Sequence, residues 1–154
     1  MISSTNVNRR LVDFNQLLKD VISLLDKKTK GKQIELQFEK SIDLPWIKCD
    51  PIQMKQVMIN LVTNSIEAIK NGGLVKVHAS RNESNLLIKV IDDGIGMKEE
   101  RVERLGEPYF RTHEKGTGVG LMYCFQVVKK HDGMIVIESE ENKGTTVEIS
   151  LPCN

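Results

Sequence analysis

Gln56-Val57-Met58-Ile59-Asn60-Leu61-Val62-Thr63-Asn64-Ser65-Ile66-Glu67-Ala68 gives the strongest indication of the fold in this chain. Its small and apolar residues recur at helical spacing and predict a core-facing stripe of Val57, Met58, Leu61, Ser65, Ala68 and Ile69. Asn60 and Asn64 are four residues apart and lie beside that stripe on one face. Paired carboxamides at a core margin offer oxygen ligands of the kind that magnesium favours. The alternative is a solvated helix flank that carries two asparagines.

The start and end of this helix have recognisable signals. Asp50-Pro51 offers an N-cap followed by proline at the first helical position, and Gln53 completes a pattern like a capping box. Asn71-Gly72-Gly73 ends the helix with glycine where a left-handed residue is needed. The predicted helix therefore covers 50–70.

Periodicity and turn residues place the other elements around this helix. Apolar residues at helical spacing predict helices over 14–28, 98–105 and 119–131. Alternation and hairpin-like turns predict strands over 34–38, 74–81, 86–91, 134–140 and 145–151. Together they predict an α+β two-layer sandwich, with about three main helices on one face of a mixed sheet of about five strands. Residues 14–154 form the expected domain, and 1–13 are expected to be a linker remnant or disordered end.

Composition excludes several classes of function. The 154 residues suffice for one domain, and 22 basic against 21 acidic residues give no reason to expect nucleic acid as a partner. No apolar run approaches the roughly 18 to 20 residues that span a bilayer, so direct membrane insertion is not expected. Cys49, Cys124 and Cys153 are odd in number and widely spaced, which favours a reducing, cytoplasmic setting over disulfides or zinc.

A second candidate site follows an apolar strand, in Val90-Ile91-Asp92-Asp93-Gly94-Ile95-Gly96-Met97. A carboxylate held semi-buried at the end of a strand needs hydrogen-bond donors, and an adenine amino group is one such donor. Gly94 and Gly96 let the backbone approach a flat ring. An Asp-Gly hairpin turn is the alternative. It is weakened because the residues after Gly96 indicate a helix start rather than a returning strand.

A third candidate site is Gly116-Thr117-Gly118-Val119-Gly120-Leu121, directly before a predicted helix. Exposed amides at a helix N-terminus bind phosphate, and glycines remove side chains that would block it. No strand precedes this segment and no GxxxxGK[ST] occurs, so neither a Rossmann nor a P-loop site is indicated. Arg111, His113 and Lys115 put positive charge beside it, suited to a transferring phosphoryl group. A flexible hinge and a solvated charged loop are the alternatives.

In this order, the segments resemble the nucleotide site of the histidine-kinase catalytic domain. That domain belongs to the ATPase superfamily shared by DNA gyrase, Hsp90, MutL and histidine kinases. The helix quoted first resembles the N box, 92–96 the first glycine box, 108–110 (Pro-Tyr-Phe) the F box and 116–121 the second glycine box. Gly144-Thr145-Thr146 with Leu151-Pro152 resembles the closing strand pair. The run 107–121 is similar to the nitrogen-regulator and sporulation-kinase branch.

The resemblance implies a Bergerat-type ATP-binding fold and a role for each matching position. Asn60 and Asn64 would hold Mg²⁺, and with Lys115 they are the candidate catalytic residues. The implied ATP-binding residues are Asn60, Asn64, Glu67, Ala68, Asp92, Gly94, Gly96, Met97, Phe110, Arg111, Thr112, Lys115, Gly116, Thr117, Gly118, Val119, Gly120, Leu121 and Thr145. Glu67 stands where some kinases have a lysine, so it is expected to make a contact at most.

The resemblance also favours phosphotransfer over hydrolysis. Gyrase-type relatives have, at the position of Asn60, a glutamate that acts as the general base and activates water. A carboxamide cannot take a proton from water. His113 precedes Glu114 in a glycine-rich segment rather than on a helix, and surface placement suffices for His78 and His131. The accepting histidine is therefore expected on a separate dimerisation domain, with a response regulator downstream and this fragment monomeric.

Two other functions remain open from the sequence. An anti-sigma-type serine kinase fits the size of the chain, although Asn60 argues against it. A non-catalytic domain that binds ATP only to change shape or to engage a partner is the other alternative.

Overall fold

A computed structural model describes residues 6–41, 43–104 and 119–153. Its strands are β1 (Arg10–Asp13), β2 (Ile34–Lys40), β3 (Trp46–Cys49), β4 (Gly73–Arg81), β5 (Asn85–Asp92), β6 (Met134–Glu140) and β7 (Gly144–Pro152). Its helices within those residues are α1 (Phe14–Gly31), α2 (Pro51–Glu67), α3 (Glu99–Arg104) and α4 (Val119–Lys130).

The central sheet is mixed and has the strand order β2-β4-β5-β7-β6. Strands β2 and β4 are parallel, and the other neighbours are antiparallel. Helix α2 packs between α1 and α4, and these three helices cover the sheet. Phe14, Met58, Leu61, Ile88 and Ile149 are among the fully buried side chains between the two layers. The predicted α+β sandwich is confirmed.

A two-stranded antiparallel ribbon of β1 and β3 was not predicted. Each strand has four residues, which is too short for a clear alternation, and the two are far apart in sequence. Pairing with β3 gives the backbone of Arg10–Asp13 its hydrogen-bond partners. The assignment of 1–13 as a linker remnant or disordered end stays a prediction. The domain boundary at residue 14 stays a prediction.

The N-cap of α2 is confirmed, but the capping box is not. Asp50 accepts hydrogen bonds from the backbone N–H groups of Ile52 and Gln53. The Gln53 side chain donates to the carbonyl of Asn6 at 3.1 Å instead of reaching back to Asp50. A third donor, the N–H of Asn8, reaches the second oxygen of Asp50 at 3.0 Å. The segment before β1 is thus attached to the start of α2.

The expected surface position of His131 was wrong, because this side chain is only 3% exposed. Its Nδ1 bonds the carbonyl of Val127 at 2.8 Å, and its Nε2 accepts from the backbone N–H of Asp50 at 3.0 Å. Both ring nitrogens have a hydrogen-bond partner, so burying the imidazole leaves neither of them unsatisfied. Burial also holds the pKa of His131 below its ordinary value.

The cysteines carry no disulfide, in agreement with their spacing. Cys49 and Cys124 are buried, and burial raises the pKa of each thiol to about 12. Among the described helices, none is long and apolar enough to cross a membrane.

Candidate functional site: a nucleotide pocket

A cavity of about 530 Å³ lies between α2, the loop after β5 and strands β6 and β7. This volume falls within the roughly 300 to 1,000 Å³ typical of small-molecule sites. The described residues that line it are Lys32, Leu61, Asn64, Ser65, Glu67, Ala68, Lys70, Asp92, Ile95, Gly96, Met97, Arg101, Leu121, Ile137, Thr145 and Val147.

Asp92 lines this cavity and is 6% exposed. Its Oδ1 accepts from the N–H of Gly94 at 2.9 Å, and its carboxylate also accepts from the Ser65 hydroxyl and the Thr145 N–H. Burial nevertheless raises the pKa of Asp92, and the nearby Asp93 raises it further. A carboxylate has about four acceptor positions, so three protein donors leave room for a donor from a ligand.

Two glycines bring the loop after β5 against its neighbours. A side chain at Gly94 would collide with Ala68, whose carbonyl accepts from the N–H of Ile95 at 3.0 Å. Gly96 has φ +66°, and a side chain there would collide with the Glu140 carbonyl. Glycine is needed at both positions because the loop is packed tightly on α2 and on the β6–β7 hairpin.

Asn64, on α2, also lines the cavity. Its Nδ2 is buried and has no hydrogen-bond partner among the described residues. A buried amide without a partner is costly, and it identifies a position where a ligand can accept a hydrogen bond.

Asn60 lies one turn before Asn64 on α2, and its side chain is next to the start of α4. Its Oδ1 accepts from Gln56 Nε2 at 2.8 Å, and its Nδ2 is 3.9 Å from where a Cβ on Gly120 would lie. Asn60 also bonds the Cys124 thiol. Its amide oxygen retains a second lone pair, so Asn60 and Asn64 fit a Mg²⁺ ion that prefers oxygen ligands.

The structure gathers much of the predicted site into one cavity. Its lining includes the predicted residues Asn64, Glu67, Ala68, Asp92, Gly96, Met97, Leu121 and Thr145. Gly94 does not line the cavity but packs on Ala68, which does. Asn60 and Gly120 lie next to each other and are not among the lining residues. Val119 begins α4. Phe110, Arg111, Thr112, Lys115, Gly116, Thr117 and Gly118 lie outside the described residues, as does His113.

Several lining residues were not predicted as site residues, and Ser65 and Lys32 are two of them. Ser65 was assigned to the core, yet it bonds Asp92, and a hydroxyl on a buried helix face is a signal that a partner exists. Lys32 Nζ donates to the Ile66 carbonyl at 3.0 Å near the C-terminus of α2. No local pattern indicates this contact, because Lys32 follows α1 whereas Ile66 lies on α2.

Residues 49–154 match the family described as histidine kinase-, DNA gyrase B- and HSP90-like ATPase. The chain belongs to this family, and its relatives narrow the class to histidine kinases.

Two curated relatives are a sporulation kinase and a sensor histidine kinase. The chain is 41% identical over 138 residues to sporulation kinase E of Bacillus subtilis (strain 168), covering 89% of the chain and 19% of the relative. It is 34% identical over 154 residues to the sensor histidine kinase ZraS of Escherichia coli (strain K12), covering 100% of the chain and 33% of the relative. The chain thus spans a third or less of these two relatives.

Solved structures agree with this assignment. The catalytic domain of histidine kinase ThkA superposes with a TM-score of 0.87 at 30% identity, covering 95% of the chain and 96% of that domain. ThkA in complex with the response regulator TrrA superposes with a TM-score of 0.82 at 26% identity, covering 96% of the chain and 42% of that protein. The chain is therefore similar in sequence and fold to the catalytic domain of sensor histidine kinases.

Proposed function

We propose that this domain binds Mg-ATP and donates its γ-phosphate to a histidine on a separate dimerisation domain of a two-component sensor kinase. The observation that carries the proposal is one cavity with a buried acceptor, Asp92, and a buried donor, the Nδ2 of Asn64, that has no partner in the described part of the chain. A purine with an amino group and a phosphate chain supplies the complementary groups at these two positions.

Asp92 accepts from the adenine amino group, since its carboxylate has an acceptor position left after its three protein donors. Ile95, Met97, Leu121 and Val147 supply the apolar surface for the purine ring. Lining of this kind, with few polar groups, is typical of small-molecule sites.

Asn60 and Asn64 hold the metal and the phosphates. Mg²⁺, when bound there by their amide oxygens, neutralises charge on the triphosphate. The Nδ2 of Asn64 donates to a phosphate oxygen. Lys115 and the segment 116–121 are proposed to contact the phosphates, with Arg111 and His113 as further cations.

Phosphotransfer rather than hydrolysis follows from Asn60. Its oxygen is occupied in part by Gln56 Nε2, and a carboxamide accepts no proton from water at neutral pH. General-base catalysis contributes roughly 10²- to 10⁴-fold, so hydrolysis without it is slow. The γ-phosphate is thus kept for another nucleophile.

The partners are proposed from the relatives. ThkA was solved with a response regulator, and a comparable regulator is proposed to receive the phosphate from the dimerisation domain. The separated domain is proposed to be monomeric, and the parent kinase is proposed to keep this domain in the cytoplasm.

The test mixes the domain with Mg-ATP and an isolated dimerisation domain from a related sensor kinase. The expected product carries phosphate that is labile in acid and stable in base, as phosphohistidine is. Acid-stable phosphate on a serine would instead support an anti-sigma-type serine kinase. ATP binding with no transfer to any tested acceptor would support a non-catalytic switch.

A further inference from the structure

We infer that Ser139 on β6 is a positioning residue for the purine end of the pocket, around Asp92. It holds the loop after β5 (residues 93–98, here called the glycine loop) and orients the Thr145 hydroxyl. Ser139 is not one of the described residues that line the cavity. The inference rests on the proposed binding of ATP and adds a specificity role to the β6–β7 hairpin.

The hairpin is tied to the glycine loop at two points. The N–H of Met97 donates to the Ser139 hydroxyl at 2.8 Å, and the N–H of Asn142 donates to the Ile95 carbonyl at 2.6 Å. Between these two bonds, Gly96 packs directly on the Glu140 carbonyl. Ile95, Gly96 and Met97 all line the cavity, so the hairpin determines the position of that wall.

The hydroxyl of Ser139 has three polar neighbours but only one proton. Besides Met97, it lies 3.1 Å from the Gly144 carbonyl and 2.7 Å from Thr145 Oγ1. A carbonyl can only accept, so Ser139 gives its proton to Gly144 and Thr145 is the donor in the shorter bond. Thr145 then directs only lone pairs towards the cavity.

This arrangement gives the purine end two acceptors. Asp92 and Thr145 lie opposite each other in the β5–β7 pairing, and both line the cavity. An exocyclic amino group carries two N–H donors, whereas the carbonyl of a 6-oxopurine carries none. Ser139 therefore strengthens the preference for a 6-aminopurine without touching it.

The experiment compares Ser139→Ala with Ser139→Thr, which keeps the hydroxyl, and with Ser80→Ala as a control on β4. Binding of adenosine, ATP, inosine triphosphate and inorganic tripolyphosphate is measured by calorimetry. Ser139→Ala is expected to lower the affinity for adenosine and for ATP roughly 3- to 10-fold, which is the effect of losing about one hydrogen bond. It is expected to reduce the preference for ATP over inosine triphosphate and to leave tripolyphosphate unchanged. Ser139→Thr and Ser80→Ala are expected to behave as wild type.

A second measurement needs no nucleotide. Hydrogen exchange of the Met97 amide is expected to accelerate in Ser139→Ala and not in Ser80→Ala, with the other core amides unaffected. Unchanged exchange and unchanged nucleotide preference overturn the inference, as does an equal loss of adenosine and tripolyphosphate binding. A wild-type domain that binds no adenosine or ATP would instead refute the proposed function, and Met97 exchange would still test the contact itself.

Discussion

The backbone N–H of Asp50 donates to Nε2 of His131 at 3.0 Å, which joins the start of α2 to the residue that follows α4. Asp50 simultaneously caps α2 and accepts from Asn8, and Arg9 donates to the Lys130 carbonyl at 2.7 Å. The segment that precedes the ribbon is therefore bonded to both helices that carry the proposed phosphate end of the site.

Replacing His131 is expected to destabilise the domain. His131→Ala leaves the Asp50 N–H without its acceptor in a buried position, at a cost of about 2 to 3 kcal/mol in the free energy of unfolding. His131→Gln offers a carbonyl oxygen and should lose less. His78→Ala, on the half-buried face of β4, is the control and should cost under about 1 kcal/mol. Urea unfolding measures all three, and equal costs for His131→Ala and His78→Ala would contradict the assigned role.

The same contact predicts a pH dependence. Burial, and secondarily the positive charge of Arg9, hold the pKa of His131 below its ordinary value, although the Val127 carbonyl, Asp50 and Asp132 act the other way. As the pH falls through about 6.5, the His131 imidazole therefore takes up a proton in the unfolded chain before it does so in the folded domain. The free energy of unfolding decreases from that pH down to the lower pKa of His131 in the folded domain. The difference in unfolding free energy between wild type and His131→Gln should shrink between about pH 7.5 and pH 5. A constant difference would refute this assignment.

Asp92→Asn is expected to separate binding from stability. The variant loses the charged acceptor, and ATP affinity should fall at least about tenfold. The melting temperature should not fall, because the charge that burial disfavours is removed while an oxygen remains for the Gly94 N–H. Asp93→Asn is the control, since Asp93 is exposed and its Oδ1 accepts from the Leu74 N–H, outside the proposed purine contact. Wild-type ATP affinity in Asp92→Asn would remove the purine role.

Ionisation of Asp92 adds a pH effect on binding. Because its pKa is raised above the ordinary 3.8, the wild-type domain should begin to lose adenosine affinity at a higher pH than an unshifted aspartate would. Adenosine is the useful probe because it carries no phosphate that titrates. Adenosine affinity that stays constant down to about pH 4 would count against the ionised carboxylate as acceptor.

Asn64→Asp should act at the phosphate end alone. The change removes the Nδ2 donor and places negative charge beside the phosphates, so ATP affinity should fall at least about tenfold. Adenosine affinity should stay within about twofold of wild type. Asn71→Asp, just beyond α2 and exposed, is the control. Removing Mg²⁺ with a chelator should weaken wild-type ATP binding more than adenosine binding, and an equal loss of both ligands would contradict the proposed division of the pocket.

Gly96→Ala tests the packing of the glycine loop. The residue has φ +66°, where an L side chain costs about 1 to 2 kcal/mol, and its Cβ would meet the Glu140 carbonyl. Unfolding free energy should fall by about 2 kcal/mol or more. Gly31→Ala, with open space around it at the end of α1, is the matched control and should be neutral or slightly stabilising. Similar melting temperatures for the two variants would show that the loop is not tightly held.

Local chemistry explains which parts of the site were predictable. Asp92 stands out because a carboxylate ends an apolar strand, and Asn60 and Asn64 because they are spaced by one helical turn. Ser65 and Ser139 were not predicted as site residues, since a serine has many environments and only its neighbours give it a role. Their partners, Asp92 and Met97, come from other elements of the chain.

Apolar periodicity, caps and turn residues act over a few positions, so the helices, the strands of the central sheet and the order of the nucleotide motifs could be predicted from local sequence. The β1–β3 ribbon, the burial of His131 and the contacts of the β6–β7 hairpin with the glycine loop became visible in the folded chain alone. These features depend on contacts between residues far apart in the chain, such as Asp50 with His131, and no local pattern encodes which distant atoms will satisfy a buried hydrogen bond.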